Sequence, residues 1–406
     1  MDSKRFFTMF VTIFLISLLA ASTATSSLTS NLIIGNSGTI LPLSISPLHV
    51  EGRYIKDANG NIIYLRGVNK VGYEACPGGS WMGRDVMDIS QWNPNNCAME
   101  LDAMKSWGVN VIRTHIAVNL WKFNIGNMRE LYKQMLLIAA NKGIYVIFDG
   151  YSVMDYFSGN DQDPLPFPPY QTSPGAESII ANQQQFVDWW VSVATELKNY
   201  PNVLFELWNE PHPPQGYDWN LTFQTWVSVA QACINAIRAV GANQLIIFQW
   251  DYACWVNLDY PPPNNPASTM QWIWQAGLTD PLGYIVYSTH LYPCYGTIHH
   301  SIPYYWNAWN YSEIKSAFNY FLFPQVVENY PLLIGEIGPN MALTGIQLQQ
   351  DLEALDNHFK LFNEMGIHYA AFWWRDIGIH RLHDGPPNFV PNAAGQILKN
   401  RLLHQT

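Results

Sequence analysis

The sequence predicts a single (β/α)8 TIM barrel with a small N-terminal β-hairpin, and three observations predict it. Apolar runs of strand length alternate with helix-length segments, a pattern that builds a parallel sheet. The alternation heads for a count of eight. The chain has 406 residues, most of which a barrel of about 250 residues with insertions accounts for, and no solenoid period or separate binding module is visible.

Residues 1–24 have the order of an export signal: Lys4 and Arg5, an apolar run from Phe6 to Ala21, then Ser22, Thr23 and Ala24. The run is short against the roughly 20 residues that span a bilayer. Cleavage near Ala24 is therefore expected, giving a secreted, extracellular protein with no membrane contact; an uncleaved anchor is the alternative. Residues 25–48, rich in Ser, Thr, Asn and Leu, read as a linker or extended arm, and residues 49–406 as one domain. His49 to Ile55 and Ile62 to Leu65 read as two strands joined at Asn59-Gly60, a hairpin that plugs the barrel floor.

The repeat then begins. Leu65 to Asn69 closes the first barrel strand, and residues 73–96 form a long loop on the expected active face. A helix near 96–107 leads to a strand from Val109 to Thr114, and one near 127–142 leads to a strand from Ile144 to Asp149. A Pro-rich loop at 164–174 and a helix near 179–199 precede the strand that ends at Glu210. A helix near 218–240, a strand from Leu245 to Trp250, a Pro/Asn-rich loop at 259–267 and a strand from Tyr284 to His290 continue the series. Helices near 312–329 and 345–365 introduce strands ending at Glu336 and Trp374, and a last helix spans about 392–403.

Composition narrows the function. Charged residues are 13% of the chain and the formal charge is −10, and without basic clusters there is no electrostatic footprint for nucleic acid. Aromatic residues are 14%, with 17 Trp and 22 Tyr. Most belong in a large core, and a minority can line a cleft where flat rings stack on sugars. The cysteines are Cys76, Cys97, Cys233, Cys254 and Cys294, an odd number. Export makes a disulfide plausible, Cys76 to Cys97 being the expected pair, while the spacings suit neither zinc nor haem. No cofactor is expected, and a monomer is.

The chemistry concentrates at two strand ends. Val203 to Trp208 is apolar apart from Glu206 and stops at Asn209-Glu210-Pro211, because proline cannot continue a central strand. A helix cap or an arginine partner is the plain alternative for Glu210 alone. A second run, Pro331 to Ile334, ends in Gly335-Glu336-Ile337-Gly338. In one parallel barrel both carboxylates face the same mouth, as acid/base and nucleophile do in glycoside hydrolysis.

Leu207-Trp208-Asn209-Glu210-Pro211 and Ile334-Gly335-Glu336-Ile337-Gly338 resemble the fourth- and seventh-strand signatures of the family 5 glycoside hydrolases, the cellulase family, from about Val50 to the C-terminus. The resemblance implies Glu210 as acid/base and Glu336 as nucleophile of a retaining reaction. It also implies Arg113 facing the nucleophile, Asn209 donating to the sugar 2-hydroxyl, Tyr292 bonded to the nucleophile with His290 beside it, and Trp373 as a sugar platform. Trp374 then faces the other side of its strand. One departure stands out: the family's histidine two residues after the third-strand aspartate is Tyr151 here, in Asp149-Gly150-Tyr151, which bears on substrate preference because tyrosine carries no positive charge.

Glu206 is unusual inside an apolar strand, and Arg66 or Arg113 is its expected partner. His299-His300 and His380-x-x-His383-Asp384 lack a third ligand at fixed spacing, so no metal is expected. Asn220-Leu221-Thr222 and Asn310-Tyr311-Ser312 have the form of glycosylation acceptors. The implied activity is a secreted endo-β-1,4-glycanase acting on a β-linked polysaccharide, foremost an endoglucanase. Mannan or xyloglucan as substrate, or a barrel that only binds carbohydrate, are the alternatives.

Overall fold

The computed structural model describes residues 32–34, 40–42, 45–70, 94–151, 164–171, 179–214, 216–250, 269–292 and 310–404. The expected export signal, most of the loop at 73–96, the 259–267 loop, Cys76 and the His299-His300 pair lie outside them. Strands β1 (Leu32–Ile34) and β2 (Ile40–Pro42) pair antiparallel within the segment read as a linker or arm. Apolar strand formers flanking Gly35-Asn36-Ser37-Gly38 account for that pairing.

The hairpin exists, but it turns earlier than expected. β3 (His49–Glu51) pairs with β4 (Tyr54–Lys56) across Gly52-Arg53, where Gly52 takes a φ of +61° that a side chain would resist. At the expected turn the Gly60 amide donates to the Asp57 carbonyl and the Asp57 carboxylate accepts from the Asn59 and Asn61 amides, and the chain beyond it forms a single bridge, Lys56 to Ile62.

Eight parallel strands then close a barrel: β5 (Arg66–Asn69), β6 (Val111–Ala117), β7 (Tyr145–Tyr151), β8 (Val203–Glu206), β9 (Ile246–Gln249), β10 (Ile285–His290), β11 (Leu332–Ile337) and β12 (His368–Ala371). Every residue of β6 and of β11 is buried, as strands covered on both faces require. Alternation sorts the side chains. Val111, Ile147, Leu204, Ile247, Val286 and Leu333 form an apolar floor with Ile45, Leu48 and Ile55 beneath it, so the hairpin region does plug the barrel. Two residues further along the same strands the interior turns polar, at Arg113, Asp149, Glu206, Gln249 and Ser288, all buried.

Ten helices are described: α1 (Pro94–Ser106), α2 (Val118–Phe123), α3 (Met128–Asn141), α4 (Gln183–Leu197), α5 (Trp219–Ala239), α6 (Trp272–Ala276), α7 (Tyr311–Tyr320), α8 (Phe323–Val327), α9 (Gly345–Met365) and α10 (Ala393–Leu403). Asn182, Asp218, Asn310 and Asn392 cap α4, α5, α7 and α10 by accepting a first-turn amide, each worth about 1 kcal/mol. The single helix expected near 312–329 is two, α7 and α8. Leu322 at φ +69° and Pro324 break it. The short α2 and α6 were not expected from the sequence. The large apolar faces pack outside the barrel: α5 alone buries Phe223, Trp226, Ile234 and Ile237, at roughly 1.5–3 kcal/mol per side chain.

Candidate active site

The two glutamates reach the barrel mouth by different local devices. On β11, Leu333 points inward to the floor, and strict alternation would send Gly335 inward and Glu336 out toward the helices. A β-bulge intervenes: Thr289 pairs with Ile334, but His290 pairs with Glu336, so Gly335 is the extra residue. Ile334 and Ile337 both face the helix-side core, three residues apart, which is the signature of that shift. Glu336 is thereby turned inward. A Cβ on Gly335 would lie 2.8 Å from His290 Nε2 and 3.0 Å from Ser288 Oγ, so the bulge needs glycine for space.

Glu210 lies just past β8 at φ +47°, a left-handed backbone that costs a non-glycine residue of order 1 kcal/mol or more. Hydrogen bonds on both sides hold it there. Its amide donates to Gln249 Oε1 at 3.1 Å, and its carbonyl faces His212 Nδ1 at 2.6 Å. The Asn209 amide donates to the Gly150 carbonyl at 2.9 Å, extending the sheet pairing up to the turn.

Arg113 organises what lies between them. Its Nε donates to Glu206 Oε2 at 2.7 Å, Nη1 to Glu336 Oε1 at 2.9 Å and to Asn69 Oδ1 at 3.0 Å, and Nη2 to Asn209 Oδ1 at 2.7 Å. Asp149 Oδ2 is 3.3 Å from Nη2. Arg113, not Arg66, is thus the partner of Glu206. Burial opposes the guanidinium charge, but Asp149, Glu206 and Glu336 outweigh it and raise the pKa. Arg113 stays charged at every working pH.

Glu336 is held at both oxygens, by Arg113 at Oε1 and by the Tyr292 hydroxyl at Oε2. His290 Nδ1 lies 2.7 Å from Glu210 Oε1 and 3.6 Å from Glu336 Oε2. Burial first, against the pull of Glu336, brings the His290 pKa down to about 3. The ring is neutral in use, and one proton satisfies its contact with Glu210. One donor atom from each of Glu210, His290 and Glu336 lies within 4.8 Å of the others. Such a set could clasp a cation, yet the Arg113 charge 2.9 Å from Glu336 already occupies that role and would repel another.

Tyr151, at the end of β7, stacks on His115 with ring centroids 3.9 Å apart, and His115 Nδ1 is 2.5 Å from Asp149 Oδ2. An imidazole from the neighbouring strand thus lies against both Tyr151 and Asp149. Trp374 is fully buried against Trp107, with centroids 4.6 Å apart. Trp373 lies outside that core, stacked on Phe372 at 4.8 Å, and Phe372 in turn meets the Tyr292 ring at 6.1 Å. Arg113, Asn209, Glu210, His290, Tyr292 and Glu336 thus converge directly, whereas Tyr151 and Trp373 flank the group through one intervening ring each. The sequence pattern assigns no site role to Asn69, His115 or Gln249. All three are buried polar residues near the ends of barrel strands, a pattern that marks them as unusual but does not name their partners.

Comparison with known proteins settles the family. The model described as cellulase (glycosyl hydrolase family 5) matches residues 58–377. The chain belongs to glycosyl hydrolase family 5. This family 5 chain is 27% identical over 191 residues to Endoglucanase 1 of Saitozyma flava, covering 43% of the chain and 42% of the relative. It is 27% identical over 232 residues to Endoglucanase B of Acetivibrio thermocellus, covering 50% and 38%. It therefore spans less than half the length of either. A solved β-glucanase from Saccharophagus degradans, in complex with cellotetraose, shares the family 5 fold at a TM-score of 0.61 and 17% identity, over 89% of this chain and 95% of that one.

Proposed function

We propose that this protein is a secreted retaining endo-β-1,4-glucanase. The observation that carries the reading is the short separation of the pair: oxygens of Glu210 and Glu336 lie within 4.8 Å of each other. Retaining glycosidases hold their carboxyl groups about 5–5.5 Å apart, while inverting ones leave about 6.5–9.5 Å for a water. In the first step a Glu336 oxygen attacks the anomeric carbon as Glu210 gives its proton to the departing glycosidic oxygen. In the second, Glu210 takes a proton from water, the hydroxide displaces Glu336, and the sugar leaves with its original configuration.

The surrounding residues suit those steps. Arg113 and Tyr292 donate to the two oxygens of Glu336, fixing the attacking atom and stabilising it as a leaving group. Asn209 turns Oδ1 to Arg113, so Nδ2 is the end that would meet a sugar 2-hydroxyl. The endoglucanase names of the relatives and the cellotetraose of the structural neighbour support β-1,4-glucan as the polymer, and the N-terminal signal order supports export. Reducing-sugar release from soluble cellulose, with mannan, xyloglucan and xylan in parallel, tests the substrate. Proton NMR of the first-formed anomer tests the stereochemistry. An α-anomer first, or activity surviving Glu336→Gln, would overturn the mechanism.

A further inference from the structure

Arg113 presents five N–H donors in one plane, and its environment uses each nitrogen differently. The two terminal nitrogens serve the reacting side: Nη1 reaches Glu336 and Asn69, and Nη2 reaches Asn209. Nε reaches Glu206, at 2.7 Å. A partner on Nε fixes the direction in which the fork opens, because the guanidinium can otherwise swing about the end of its side chain. We propose that Glu206 is a positioning residue of the reaction, acting through Arg113 on Glu336 and Asn209 without touching substrate. The inference rests on the reaction proposed above.

Charge balance argues that Glu206 is not there for stability. Asp149 from β7 and Glu336 from β11 already set two carboxylates against the one guanidinium from β6, and Glu206 adds a third, fully buried. Its Oε1 has no hydrogen-bond partner among the described residues. One guanidinium does not need a third buried carboxylate to neutralise it, and taking that carboxylate out of water costs stability. On β9 its register partner is Ile247, with Gln249 two residues on, and neither brings a compensating charge. Burial, with Asp149 and Glu336 adding and Arg113 opposing, pushes Glu206 up to about 7. The carboxylate thus sits at an energetic cost in the one place from which it can aim Arg113.

The test uses the full chain as wild type, Glu206→Gln and Glu206→Leu. Glutamine keeps an acceptor opposite Nε and removes the charge, while leucine removes both at similar volume. Active sites are counted by covalent labelling with 2-deoxy-2-fluoro-β-cellobiosyl fluoride, read by intact mass. Turnover of an aryl β-cellobioside is then expressed per labelled site, with the unfolding midpoint measured alongside. The leucine variant is expected to lose about 10²-fold in kcat per labelled site, with KM within about threefold. Glutamine is expected to recover to within about tenfold, and to shift the pH profile of kcat/KM because it removes a titrating carboxyl from the Arg113 cluster. Wild-type turnover per labelled leucine site, whatever its midpoint, overturns the proposal. If leucine does not fold, glutamine decides: a profile and a kcat superimposable on wild type overturn it too. A wild type that is neither labelled nor active removes the reaction and this inference together, whereas an active wild type with indifferent variants removes only the inference.

Discussion

Replacing Gly335 by alanine tests the site where packing and catalysis meet. Gly335 has no left-handed φ, so its backbone accepts alanine and any effect comes from the added methyl group alone. That methyl would stand 2.8 Å from His290 Nε2 and 3.0 Å from Ser288 Oγ. Ordinary contact begins near 3.4 Å, so the ring must recede by roughly 0.6 Å. His290 is fully buried and its other nitrogen holds Glu210 at 2.7 Å, so the displacement either stretches that hydrogen bond or drags the acid with it. Overpacking of this kind costs about 1–3 kcal/mol, which lowers the melting temperature of a domain this large by about 1–4 °C. Misplacement of the acid by a fraction of an ångström lowers kcat by about tenfold to 10²-fold. Calorimetry and steady-state kinetics on a soluble β-glucan measure both. Wild-type melting and wild-type kcat in the alanine variant would refute the idea that glycine is there for space.

Other outcomes follow from the same geometry. Tyr292→Phe removes the hydroxyl donated to Glu336 and should lower kcat by about 10–10²-fold with little change in folding; a change below twofold would show the contact to be idle. His115→Ala removes the ring stacked on Tyr151, a contact worth about 0.5–1.5 kcal/mol, and should raise KM more than it lowers kcat. The pH dependence of stability has a definite sign. His290, His368 and His383 are brought down to about 3 and His358 and His380 to about 4, in each case first by burial. Unfolding therefore takes up protons below the ordinary histidine value of 6.5, and stability falls as pH drops from there. Glu206 and Asp351, pushed up to about 7 by burial, act in the opposite sense, but five histidines outweigh two acids. The melting temperature should rise between about pH 4.5 and 6.5, and a flat or falling profile would contradict the burial of these rings.

Much of this was legible in the sequence, because strand and helix periods are local. The eight strands, the main helices, and the strand-end positions of Glu210, His290 and Glu336 all follow from runs of residues read singly, whereas Arg113 lies inside its strand, which runs on to Ala117. What the sequence hid depends on the relation between strands. That His115 would meet Tyr151 requires the β6–β7 register, in which His115 pairs with Asp149 and Ala117 with Tyr151, and no local pattern states a register. Gln249 was hidden for the same reason, since its task is to catch an amide beyond a neighbouring strand. The hairpin was read one turn late: Asn59-Gly60 does turn the chain, with the Gly60 amide donating to the Asp57 carbonyl, but the paired strands β3 and β4 lie before it, across Gly52-Arg53. The split of the helix at Leu322 followed a proline two residues on, a breaker visible in the sequence but outvoted by the apolar pattern around it.

The bulge on β11 has a consequence for how this strand can change. Below Gly335 the strand keeps one phase, with Leu333 lining the floor; above it the phase is reversed, and Glu336 takes the inner side. The two halves can vary in composition independently, because neither dictates which way the other points. Length is another matter. Loss or gain of a single residue between Leu333 and Glu336 would make their separation even, so the glutamate stays inside only if the bulge gives way to plain alternation, and turns outward, into the layer where Ile334 and Ile337 pack against helices, if the bulge persists. A substitution in this stretch therefore alters fit, whereas an insertion or deletion sets the bulge against an inward carboxylate, so that one of the two must be given up.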